Sequence, residues 1–260
     1  MELSFFKYQG TGNDFIIIDN REGQISLTTA QVNKLCHRRF GIGADGLMLL
    51  QEKEGYDFEM VYFNSDGKES TMCGNGGRCL VKFAYHRGIK RNKYHFIAVD
   101  GPHEATIEDN GWVHLKMKDV NGLKQYYGDF VLDTGSPHYV KDVSDINKID
   151  VFAKGREIRN SDDFAAKGIN VNFVQEKGDS AIFVRTYERG VEDETLSCGT
   201  GVTAAALVYA HNDKGFNRIE VQTPGGHLAV EYDKMGEEHF ENIWLCGPAE
   251  FVFSGTITIG

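Results

Sequence analysis

The chain has 260 residues, a formal net charge of −10 and a hydrophobic share of 41%. That is enough apolar material for one large core or two ordinary ones. The acidic balance argues against nucleic acid and anionic membranes as partners, and no apolar run approaches the roughly 18 residues that span a bilayer. Met1-Glu2-Leu3-Ser4-Phe5-Phe6-Lys7 lacks the basic-then-apolar pattern of a signal peptide, so a cytoplasmic protein is expected.

In chain order, Gly10-Thr11-Gly12-Asn13 reads as a turn, and residues 15–19 as a buried strand. Residues 29–39 read as a helix, with Ser26, Thr28 or Thr29 as its cap. Gly41-Ile42-Gly43-Ala44-Asp45-Gly46 spells G-x-G-x-x-G, but a helix precedes it and an apolar run follows. A dinucleotide site needs the reverse order, so a tight structural turn is expected here. Residues 47–50 and 58–63 read as strands, 64–67 as a turn and 76–87 as a helix. The second half repeats the scheme, with a strand over 182–187 and an all-apolar helix over 203–211. A helix apolar on every side belongs inside a fold. Strands outnumber helices, so the expected class is α+β. Two pseudo-symmetric halves are expected, each a curved mixed β-sheet around a central helix, with the active site in the cleft between them. The expected domains are residues 1–118 plus 249–260, and 119–248.

The five cysteines are an odd count and form no Cys-x-x-Cys pair, which argues against a disulfide framework and a zinc knuckle. Cys36, Cys79 and Cys246 read as buried packing residues. Cys73-Gly74-Asn75-Gly76 and Cys198-Gly199-Thr200-Gly201 read differently, because each sets a cysteine before a glycine turn that opens a helix. Helix N-termini present N–H groups that attract anions and favour a thiolate. The two cysteines lie 125 residues apart, and the same offset superposes residues 69–73 on 194–198, 76–86 on 201–211 and Gly101 on Gly226. A duplicated unit follows, with a site that has a sulfur on either side.

These segments, in order over nearly the whole chain, resemble the diaminopimelate epimerase family. The matching residues run from Gly10-Thr11-Gly12-Asn13-Asp14-Phe15 through Tyr62-Phe63-Asn64-Ser65-Asp66-Gly67 and Met72-Cys73-Gly74-Asn75-Gly76-Gly77-Arg78-Cys79. They continue through Pro137-His138, Asn170-Val171-Asn172-Phe173, Tyr187-Glu188-Arg189-Gly190 and Cys198-Gly199-Thr200-Gly201 to Gly247-Pro248-Ala249. The resemblance implies two similar halves with the last strand returning to the first, a homodimer, and no cofactor or metal. It implies interconversion of LL- and meso-2,6-diaminopimelate.

Chemistry agrees with that implication. Epimerising an α-carbon requires removal of a weakly acidic proton and its return on the other face, and a thiolate–thiol pair exchanges those roles at each turnover. Cys73 and Cys198 are the expected catalytic pair. Backbone N–H groups of Gly74, Asn75, Gly199 and Thr200 are expected around the α-carboxylate. The resemblance assigns substrate recognition to Asn13, Asn64, Asn170, Glu188 and Arg189. An arginine clamps a carboxylate with two bonds, and a glutamate takes an ammonium. Ser136 stands where family members often carry asparagine, and its hydroxyl can still bond substrate. Two other readings explain part of the pattern: a proline or hydroxyproline racemase of the same fold, and a non-catalytic thiol redox sensor or anion binder.

Overall fold

The structure, a computed structural model, describes residues 2–259. The chain divides into two compact units, Met1–Leu115 with Gly247–Gly260, and Lys116–Cys246.

The first unit begins with β1 (Glu2–Gly10) and β2 (Asn13–Asp19), joined by a tight turn with Gly12 at φ +87°. α1 (Thr29–Cys36) carries the chain across to β3 (Gly46–Gln51), which lies parallel to β2 with Phe15 opposite Gly46. Parallel neighbours need such a crossover. β4 (Phe58–Asn64) returns antiparallel to β3. A second crossover, α2 (Gly74–His86), leads to β5 (Tyr94–Ala98), parallel to β4. β6 (Gly101–Ile107) and β7 (Val113–Lys116) then add antiparallel strands.

The second unit repeats this pattern. After the short β8 (Val120–Asn121) and β9 (Lys124–Tyr126), β10 (Asp129–Asp133) pairs antiparallel with β11 (Pro137–Asp142). α3 (Val151–Arg159) crosses to β12 (Asn170–Glu176), parallel to β11, and β13 (Ala181–Glu188) returns antiparallel. β14 (Asp193–Thr195) precedes α4 (Gly199–Val208), which crosses to β15 (Gly215–Thr223), parallel to β13. β16 (Gly226–Lys234) and β17 (His239–Gly247) follow antiparallel. The sequence of parallel and antiparallel steps is the same in both units, and Gly101 and Gly226 open equivalent strands, each at positive φ. β18 (Glu250–Thr258) pairs with β1, so the C-terminal strand belongs to the first unit.

β2 and β3 are apolar without alternation because both of their faces are covered. Ile16, Ile18, Leu47 and Leu49 pack with Val32 and Leu35 of α1. Phe15 and Met48 face α2, within van der Waals reach of Gly76. In the second unit Val171, Phe173 and Tyr187 pack with Val151 of α3. α4 is buried along almost its whole length.

All three expected helices have boundaries that differ from the sequence expectation, α4 also ending at Val208 instead of residue 211. α1 stops at Cys36 instead of residue 39. Thr28 caps its start through a reciprocal pair with Gln31. At its end, the N–H groups of Ile42 and Gly43 donate to Leu35 O, and that of Ala44 to Cys36 O. The glycine turn therefore folds back to satisfy the last carbonyls, as helix ends require. α2 starts at Gly74 instead of residue 76, and α4 at Gly199 instead of residue 203. Glycine has poor helix propensity, but here close packing outweighs it. A Cβ at Gly201 would lie 2.3 Å from Asn172 Oδ1, and one at Gly77 3.1 Å from Leu115.

A Cβ at Gly41 would lie 2.0 Å from the backbone oxygen of Lys34, which cannot move aside without breaking the helix end. Gly41→Ala is expected to lose about 1–3 kcal/mol, measured by urea unfolding. Gly236→Ala, where nothing lies within 4 Å and φ is not positive, is the control and stays within about 0.5 kcal/mol.

Candidate active site

In the first unit Cys73 is the N-cap residue of α2, with extended backbone (φ −96°, ψ 132°). The helical ladder begins with Gly77 N–H donating to Cys73 O at 2.7 Å. The N–H groups of Gly74, Asn75 and Gly76 lie ahead of it and have no acceptor within the helix. The β1–β2 turn brings Asn13 to this helix end. Cys73 Sγ lies 3.7 Å from Asn13 Oδ1, and Asn75 Nδ2 donates to the same oxygen at 3.3 Å. Asn13 Nδ2 donates to Asp45 Oδ2 at 2.6 Å. Asn64 ends β4 opposite Gly46, which in turn lies opposite Phe15. Its exposed side chain is thus two strands from the β1–β2 turn, about 10 Å across the sheet.

Arg78, fully buried on α2, reaches back to this end of the helix. It donates to Asn75 Oδ1 (3.0 Å), Thr11 Oγ1 (3.4 Å), Gly74 O (3.3 Å) and Pro248 O (3.5 Å). Beside Asn13, burial pushes the Asp14 carboxyl up. Hydrogen bonds and charge from Arg38 and Lys7 outweigh that and hold it at about 2. Arg38 also bonds Asp45, at 2.7 Å.

In the second unit Cys198 is the N-cap of α4, 8% exposed, with its Sγ 3.5 Å from Thr200 Oγ1. Val202 N–H closes the first helical bond onto Cys198 O, leaving Gly199 and Thr200 N–H ahead of the ladder. A second cluster gathers the expected recognition residues. Asn170 Nδ2 donates to Ser136 Oγ at 2.9 Å, Arg189 Nη2 donates to the same oxygen at 3.3 Å, and Arg189 N–H donates to Asn170 Oδ1 at 2.9 Å. Ser136 thus joins Asn170 and Arg189 directly. The loop carrying it also touches the helix end, through Thr134 Oγ1 donating to Thr200 O at 2.9 Å. Glu188, the last residue of β13, lies opposite Asp193 of β14 and immediately before Arg189.

Behind this cluster is a buried amide that sequence reasoning did not single out. Asn172 Nδ2 donates to His138 Nδ1 and to Tyr139 O, both at 3.0 Å, while its Oδ1 accepts from Thr186. The readable signal was Asn170-Val171-Asn172, two amides on one face of a buried strand. Arg78 carried a similar signal, a cation in an otherwise apolar stretch of helix. Asp45, inside the glycine turn, carried none. The thiols of Cys36 and Cys79 are pushed up to about 12, chiefly by burial, which keeps them protonated and inert.

Two compact α+β units of one topology, each opening a buried helix on a cysteine, define the class. The same fold occurs in a phenazine biosynthesis protein of the PhzF family from Bacillus anthracis, with TM-score 0.77, 16% identity and full coverage of both chains. It also occurs in a hydroxyproline epimerase from Agrobacterium vitis, with TM-score 0.65 and 13% identity over 98% of this chain and 92% of that one. Such low identity establishes the fold alone. The family model described as "Diaminopimelate epimerase" matches residues 5–122 and 130–252. The diaminopimelate epimerase of Flavobacterium psychrophilum is 51% identical over 98% of this chain and all of its own length. That of Chlorobaculum tepidum is 43% identical over 96% of this chain and 99% of its own. The chain belongs to the diaminopimelate epimerase family, a family of enzymes.

Burial, reinforced by the nearby Arg189 charge, lowers the His138 pKa to about 3, and the Asn172 hydrogen bond opposes this only in part. The unfolded state therefore binds a proton near pH 6.5 that the folded state refuses. Stability from this group is complete above that pH and is lost as pH falls towards 3. The slope is at most about 1.4 kcal/mol per pH unit. Urea unfolding is expected to show stability falling from pH 7 to pH 5, and His138→Gln should flatten that slope. Asp14 does not contribute in this window, since its depressed carboxyl loses its stabilising effect only as pH falls from about 3.8 through 2.

Proposed function

We propose that the protein interconverts LL- and meso-2,6-diaminopimelate by two-base proton transfer, with Cys73 and Cys198 as the bases. The thiolate of one cysteine takes the α-proton, and the thiol of the other delivers its proton to the opposite face. Each turnover leaves the pair with exchanged protonation, ready for the reverse reaction. No cofactor takes part in this scheme. The observation that carries the reading is the repetition of one arrangement: in each unit a cysteine caps a glycine-opened helix whose leading N–H groups have no acceptor within the helix. Those groups, on Gly74, Asn75, Gly199 and Thr200, meet the α-carboxylate as it takes up carbanion charge. A single such donor is worth about 3 kcal/mol in comparable sites. The helix dipoles favour the thiolate form at the same positions.

The far end of the substrate carries a carboxylate and an ammonium. Arg189, steadied by Ser136, clamps the carboxylate, Glu188 takes the ammonium, and Asn13, Asn64 and Asn170 supply amides. The Ser136–Asn170–Arg189 cluster supports this part of the reading. We place the protein in the cytoplasm; no described helix is long and apolar enough to cross a membrane. We also propose a homodimer, supported by the exposed apolar run Phe251, Val252 and Phe253 on β18.

Incubation of LL-diaminopimelate with the protein in D₂O is expected to give the meso isomer with deuterium at one α-carbon. Cys73→Ala and Cys198→Ala should each lower turnover by at least about 10²-fold. Undiminished turnover in either variant removes that cysteine from the mechanism, and no turnover by the unmodified protein removes the function. Arg189→Met is expected to raise KM more than it lowers kcat, because the distal clamp binds ground and transition states alike.

A further inference from the structure

The glycine turn that fails as a dinucleotide motif holds Asp45, and Asp45 ends a directed chain of hydrogen bonds at Cys73. Arg78 begins that chain. A guanidinium only donates, and it donates to Asn75 Oδ1 at 3.0 Å. Asn75 must then turn its Nδ2 the other way, where it donates to Asn13 Oδ1 at 3.3 Å. From the opposite end, an ionised carboxylate only accepts. Asp45 takes Asn13 Nδ2 at 2.6 Å and is itself held by Arg38 and by the Asp14 N–H. A cation at one end and an anion at the other thus demand the same orientation of the Asn13 amide, oxygen towards Cys73. The Cys73 sulfur lies 3.7 Å from that oxygen. An amide oxygen has no proton to give, so Cys73 makes this contact as S–H. At Cys198 the Thr200 hydroxyl lies 3.5 Å from the sulfur and is able to donate to it.

We propose that Asp45 and Arg78 are positioning residues that, through the Asn75 and Asn13 amides, hold Cys73 as the protonated member of the cysteine pair in the substrate-free protein. Its catalytic meaning rests on the two-cysteine reading above. The Cys198 thiolate then takes the first α-proton and the Cys73 S–H hydrogen is the one delivered. Afterwards Cys73 is left as a thiolate facing an amide oxygen, an arrangement that favours taking a proton back.

The test is NMR of the protein labelled with [¹³Cβ]cysteine, with the Cys73 resonance identified by its loss in Cys73→Ala. At neutral pH the unmodified protein should show Cys73 at the thiol position. Asp45→Asn puts at the end of the chain an amide that both donates and accepts, so one of the two demands on the Asn13 orientation is lost and only the Arg78–Asn75 end still holds it. The Cys73 thiolate fraction is then expected to rise about tenfold or more, which corresponds to one pKa unit. Asp14→Asn removes the same charge from the same Arg38 clamp but leaves the Asn13–Asp45 bond intact, and should leave the resonance in place. The side chain of Asp45 is 43% exposed, so its replacement does not disturb the core. A thiolate signal for Cys73 in the unmodified protein overturns the proposal, as do equal shifts in Asp45→Asn and Asp14→Asn. A protein inactive on diaminopimelate that still shows this pattern would lose the proposed function and keep the inference.

Discussion

The rest of the structure depends on how closely two helix ends approach the strands beneath them. α2 and α4 begin immediately after a cysteine because the residues that follow carry little or no side chain where helix meets sheet. Gly77 presses on Met72 and Leu115, and Gly201 presses on Asn172. Side chains at these points would lift the helix and carry the cysteine away from the amides around it. Closeness here outweighs the weak helix propensity of glycine, as tertiary packing commonly does.

Around each helix end the protein places polar groups, most of them buried though Asp45 is exposed and Asn13 half-buried, whose partners are chosen by what each group is able to donate or accept. In the first unit the direction runs from a guanidinium through two amides to a carboxylate. In the second, the Asn172 amide is fully engaged by His138, Tyr139 and Thr186. Buried polar groups tolerate little mismatch, since an unmet donor costs about 1–3 kcal/mol. Such networks hold side chains in one orientation, which acid–base chemistry requires. The depressed pKa of His138 reflects the same burial: the ring remains neutral beside Arg189 and behaves as a fixed piece of the scaffold.

Duplication explains why one physical solution appears twice. Both units use the same order of parallel and antiparallel steps with crossover helices at the same places. They differ in what surrounds the cysteine. Asn13, an acceptor, stands near Cys73, and a hydroxyl stands near Cys198. The two units share a backbone pattern and differ in the side chains that surround the cysteine.

Much of this was legible beforehand. The strands over residues 15–19 and 47–50 were visible as apolar runs, because a strand covered on both faces loses its alternation, whereas the strand over 58–63 keeps an alternating burial. The two cysteines were visible because glycine follows each in matching contexts, and Asn170, Glu188 and Arg189 were marked out only by the family resemblance of their segments. What remained hidden were contacts between residues distant in the chain: Asp45 meeting Asn13 across 32 positions, Ser136 meeting Arg189 across 53, and Arg78 turning back towards its own helix start. The starts of α2 and α4 were also misjudged, since propensity is a local quantity and the packing that overrides it is not. The amino-acid sequence by itself determined the strand pattern, the duplication and the chemical identity of the two thiols, for each follows from residue types at short spacing. Tertiary structure alone decided which groups each thiol faces and in which direction the hydrogen bonds run, for those depend on turns and crossovers that bring separate strands to one helix end.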